Sequence, residues 1–152
     1  MRKQIYTAVS EALTAAGIGI EHIDLFNNQV LYGEEEQPFL TPAVFIEFAD
    51  IEWQKQLHGV REAVVNIKLH VVTDTRVGRW HQSADRLELA DDINRCLHGL
   101  HFSISNGDNQ PESIVNDLTL LRSQTDSDFG ELAVDVEEYQ CHVTDASGYG
   151  RF

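Results

Sequence analysis

Only two cysteines, Cys96 and Cys141, occur in the 152 residues, and neither stands in a CxxC or among short loops. That speaks against a disulfide-stapled secreted scaffold and against a Cys-rich zinc module. Each lies inside a regular apolar pattern and reads as a buried free thiol in a reducing compartment. Proline is scarce, with three residues, and ten glycines are too few and too scattered for a repetitive or disordered segment. Positive charge is also in short supply. Eleven Lys and Arg stand against 25 Asp and Glu, a formal net charge of -14, and the basic residues never form a run longer than two. Such a surface repels phosphate, which disfavours sequence-driven nucleic-acid binding and anchoring on an anionic membrane. No stretch approaches the run of about 20 apolar residues that crosses a bilayer. The opening MRKQIYTAVSEALTAAG is interrupted by Gln4, Thr7, Ser10, Glu11 and Thr14, unlike a signal peptide. A soluble, intracellular protein is expected.

What is present is enough for one domain over residues 1–152: 42% apolar and 24% charged residues, in a chain long enough to bury roughly 70% of its unfolded surface. Ile5, Val9, Leu13 and Ala16 recur at helical steps and Gly17 follows as a C-terminal cap, which predicts a first helix over residues 2–16. Residues 18–31 read as short extended pieces with a turn at Asn27-Asn28, and Glu34-Glu35-Glu36 as an acidic loop ending at Pro38. Ala43 to Phe48 is apolar on both faces, as a central strand would be. Ile51, Trp53 and Leu57 alternate with polar residues up to a turn at His58-Gly59. Ala63, Val65, Ile67, Leu69 and Val71 then mark the clearest strand in the chain. Trp80, Ala84, Leu87, Ala90, Ile93 and Leu97 form a helical stripe closed by Gly99. After a loop at Asn106-Gly107-Asp108 and Pro111, strands are predicted at about 114–121 and 129–143, separated by a turn at Thr125 to Asp128. In the last strand, apolar residues occupy even positions at Leu132, Val134 and Val136 but odd ones at Tyr139, Cys141 and Val143. That slip predicts a β-bulge or bend at Glu137-Glu138. The expected class is α+β: a mixed, mostly antiparallel sheet covered by two helices, in the order α-β-β-β-α-β-β.

Each catalytic constellation lacks a named part. His81 and Asp85 lie four apart and His98 and His101 three apart, but neither pair gains a third ligand, and there is no HExxH or calcium loop. Ser147-Gly148 is not in a GxSxG, Cys96 falls late in a helix, and Gly17-Ile18-Gly19 stops short of GxGxxG. Glu137-Glu138 and Asp91-Asp92 could meet a partner in space, but adjacent acids are usually solvated. Trp53 and Trp80 can serve either as core or as interface anchors. Between Ser123 and Gly150 there is no Lys or Arg, so the final hairpin carries one sign of charge. Solubility explains this, and so would a wall that lets a polyanion pass without sticking.

The succession resembles the tail terminator, or tail completion, proteins of long-tailed bacteriophages. The resemblance is carried by Pro42 to Phe48 (PAVFIEF), Trp53, Arg61 to Asp74 ending in HVVTD, Leu87 to Leu97 with LxLxDxIxxxL spacing, and the hairpin from Asp126 to Val143. It implies a structural virion protein without an active site or cofactor. Such a protein forms a homo-oligomeric, typically hexameric ring on the head-proximal end of the tail tube. Its partners would be further copies of itself, the tail tube protein and the head-tail connector, with DNA only as passing cargo and no membrane. Its place would be the virion tail, and the host bacterial cytoplasm during assembly. On that reading Asp135, Glu137 and Glu138 are candidates for an acidic lumen lining, and Trp53, Trp80, Arg76 and Arg79 for interface anchors. Competing readings are a neck, head-completion or contractile-injection component, a small metal-dependent hydrolase using His81, Asp85 and a remote acid, and a monomeric binding module.

Overall fold

The computed structural model describes residues 1–27, 39–104, 113–129 and 131–146. The acidic loop at Glu34 to Glu36, the loop at Asn106 to Pro111 and Ser147-Gly148 lie outside them, as does Asn28 of the turn expected at Asn27-Asn28. In chain order the elements are α1 (Arg2–Ala15), β1 (His22–Leu25), β2 (Ala43–Phe48), β3 (Trp53–Lys55), β4 (Arg61–Asp74), α2 (Ser83–Leu97), β5 (Phe102–Ile104), β6 (Ser113–Val115), β7 (Thr119–Phe129) and β8 (Leu132–Asp145). Two helices lie against a mixed, mostly antiparallel sheet, so the α+β class is as expected. Among the described residues no helix is long and apolar enough to cross a membrane.

The 14-residue strands β4 and β8 form the spine, paired antiparallel without interruption from Arg61 opposite Asp145 to Asp74 opposite Leu132. Each outer edge of this pair is lined by a broken strand. β2 and β3 share the free edge of β4, and β6 and β7 share that of β8. β1 adds parallel to β2, and β5 antiparallel to β6. The sheet therefore has more strands than the order above anticipated. β1 and β5, at four and three residues, are too short to establish a period of two. The strand expected at 114–121 is divided at Leu118, which is buried and bonds through its backbone to Gly99 and Leu100.

Three further expectations are corrected. Thr125 and Asp126 do not turn: they continue β7, opposite Asp135 and Val134, and the hairpin closes between Phe129 and Leu132. Their polarity reports an exposed edge strand rather than a turn. The strand around Trp53 ends at Lys55; Leu57, 80% exposed, lies in a single 3-10 turn, and His58 and Gly59 take positive φ to close the hairpin. The helical stripe begins later than Trp80, which belongs to a separate 3-10 turn, and it runs through Leu89, Ile93 and Leu97. Leu87 is exposed because Leu89 is the residue four before Ile93 and takes the inward position.

The slip in β8 is not a bulge in β8, whose register with β4 is continuous. The irregularities fall on the other partner, β7, between Leu120 and Arg122 and between Asp126 and Phe129. The slip instead records two cores on opposite faces. Tyr139, Cys141 and Val143 face α1 and α2 together with Ala63, Val65, Ile67 and Leu69, and with Ile5, Val9 and Leu13 of α1. Leu132 and Val134 turn to the other face, where Phe39, Ala43, Phe45 and Val72 form a smaller cluster, with Phe26 and Val136 packed against it.

Candidate functional site

Two of the three acids expected to line a lumen are buried within the fold. Asp135 and Glu137 point to the helix-covered face and are 4% and 3% exposed, so neither offers its charge to solvent. Glu137 accepts hydrogen bonds from the Ser123 hydroxyl and from Asn94 Nδ2 at 3.4 Å, and the Tyr139 hydroxyl donates to Asn94 Oδ1. Burial pushes the Glu137 carboxyl above its usual range; the Ser123 and Asn94 bonds pull it down, and the charges of Asp135 and Asp91 push it up. Burial likewise raises the Tyr139 phenol, with Glu137 adding to the effect, and pushes the Cys141 thiol up to about 11. Asp135 accepts a 2.8 Å bond from Thr125 Oγ1. Glu138 faces the side of the sheet away from the helices, largely buried, 3.1 Å from Arg122 Nε. It stands in a row of alternating sign across four strands, Glu47, Lys68, Glu138 and Arg122. All three acids make polar contacts across the sheet.

The proposed anchors divide in two. Trp53 packs against the main core with the Arg61 guanidinium 4.3 Å from its ring centroid, and Arg61 also pairs with the buried Asp145. Arg76 grips the buried Asp74 through two bonds of 2.9 and 3.0 Å and reaches Glu131 at 2.7 Å, tying the loop before α2 to the β7–β8 hairpin. Trp80 is half-buried, with Arg86 bonded to its carbonyl oxygen. Arg79 is exposed and stacks 4.7 Å from the Trp80 ring centroid.

Among the described residues no group of three His, Cys, Asp or Glu side chains converges as a metal site would require. His81 Nδ1 lies 3.0 Å from the Gly78 carbonyl oxygen, and His101 sits beside Asp117 at 3.2 Å. A concavity of about 600 Å³ lies on the sheet face away from the helices, at the Arg61 end of β4. Its lining includes Asp50, Glu52 and Glu62, with Val64, Asn116 and His142. Sequence reasoning missed this groove because its walls come from four separated segments. The one local signal was the outward half of β4, where Glu62 and Val64 alternate with the core residues.

No protein-family model matches the chain, and no curated protein does. Among solved structures, a chain from the virion of a native gene transfer agent (GTA) particle superposes with a TM-score of 0.62 at 17% identity, over 92% of this chain and 94% of that one. At that identity the likeness is one of fold, and it extends over nearly the whole of both chains.

Proposed function

We propose that this chain is a structural component of a phage-like particle, and that it acts as a tail terminator: a ring that caps the tail tube and joins it to the head, without catalysis. The observation that carries the reading is the shared fold with a chain of a gene transfer agent virion over nearly the full length of both. The order of elements that resembles the tail terminators agrees with it. A subunit of net charge -14 would also let DNA pass without holding its phosphates.

Purified protein added to growing tail tubes provides the test, read by negative-stain microscopy with a labelled chain. The expected result is label at one end of each tube and a halt in elongation. Tubes that lengthen normally with unlabelled ends would overturn the reading, and label that appears only on isolated connectors would move the chain to the neck.

A further inference from the structure

Two features at opposite ends of β4 match each other in charge and in apolar character. At the Asp74 end, the loop into α2 presents Val77, 54% exposed, and Arg79. Among the described residues no carboxylate lies within ion-pair distance of Arg79. At the Arg61 end, the sheet face away from the helices forms the groove of about 600 Å³ whose wall holds Asp50, Glu52 and Glu62. None of these three acids is ion-paired among the described residues either. Val64, 42% exposed, supplies an apolar floor between them. The groove reaches along β4 to Asn66, and the eight residues from there to Asp74 span roughly 26 Å, so the two features cannot meet within one chain.

We infer that the loop carrying Val77 and Arg79 of one copy docks into the Asp50, Glu52 and Glu62 groove of a second copy. The choice of a second copy follows from charge. Two subunits of net charge -14 repel at long range, so they associate only where local charges are opposite. An unpaired exposed arginine and an unpaired acidic groove provide that match, while Val77 on Val64 adds apolar burial. The contact joins unlike surfaces. Each added copy therefore leaves one loop and one groove open, and the series closes as a ring where the rotation permits. The inference rests on the ring reading above for its setting and specifies which surfaces join.

A charge swap tests it. Arg79→Glu gives a chain with a repelled loop and an intact groove; the double variant Glu52→Arg with Glu62→Arg gives an intact loop and a repelling groove. All three positions are exposed, and circular dichroism checks that each variant folds. Self-association is measured by sedimentation velocity and mass photometry at about 150 mM salt, where the long-range repulsion is largely screened while close charge pairs persist. Each variant alone is expected to associate at least about tenfold more weakly than wild type. An equal mixture should recover assembly, because both of its contacts are then complementary. Variants that associate like wild type, a mixture no better than its components, or a wild type that stays monomeric under every condition would overturn the contact. If Arg79→Glu caps tail tubes as well as wild type does, the contact falls and the tail-end reading stands. If wild type assembles through these residues but never engages tube ends, the contact stands and the tail-end reading falls.

Discussion

Glu137 has exchanged water for an amide and a hydroxyl, and its proton affinity records the exchange. A carboxyl whose pKa is higher in the folded chain than in the unfolded one binds its proton more tightly when folded. Stability is therefore highest where it is protonated and falls as pH rises through the folded pKa. Glu137→Gln keeps an acceptor for Ser123 and Asn94 while removing the charge. It should melt higher than wild type at pH 8, and the difference should shrink as pH drops toward about 4, near the ordinary carboxylate range. Thermal unfolding at both pH values is the measurement; a gap that ignores pH would show that burial does not strain this charge. In the sequence Glu137 was visible as one of an adjacent acid pair, at the point where the apolar pattern of β8 changes parity. Whether its side chain met solvent or Asn94 depended on α2, which is 40 residues away in the chain.

The junction of α2 with the sheet is where two such distant elements become one unit. Leu89, Ile93 and Leu97 supply the apolar attachment, and Asn94 adds the polar one by accepting from Tyr139 and donating to Glu137. Asn94→Ala would leave the Tyr139 hydroxyl and one Glu137 oxygen short of a partner in a buried setting. A loss of about 1–3 kcal/mol is expected, read from urea denaturation, with the larger part recovered in an Asn94→Ala, Tyr139→Phe double variant. An unchanged midpoint in the single variant would mean that water replaces the amide. The existence of both helices and of the β4 strand was legible because their apolar periods run for three turns or for ten residues. The division of the strand expected at 114–121, and the continuation of β7 through Thr125 and Asp126, were not legible. Polar residues on an edge strand look the same as polar residues in a turn until the partner strand is known.

Over the whole molecule the excess of 25 acids over 11 bases dominates long-range electrostatics. The ion pairs are mostly exposed at one partner or both, and exposed pairs contribute only about 0–1 kcal/mol each. Self-repulsion should therefore outweigh them. Raising salt from about 10 to about 150 mM shortens the screening length from about 30 to about 8 Å and should raise the melting temperature by a few degrees. A midpoint that stays level or falls with added sodium chloride would show that local pairs, not net charge, govern stability.

Composition and periodicity were enough to determine the α+β class, the two helices, the existence of the long strands β4 and β8 and the sign of the molecule's field. Each of these is a property of neighbours in the chain or of a sum over it. Only the tertiary structure decided that Asp135 and Glu137 are internal, that the parity change in β8 marks a second core, and that Asp50, Glu52 and Glu62 face one groove while Arg79 stacks on Trp80, exposed, beyond the far end of β4. A strand's two faces are equivalent until other elements cover one of them, and what covers each half of β8 comes from segments dozens of residues away.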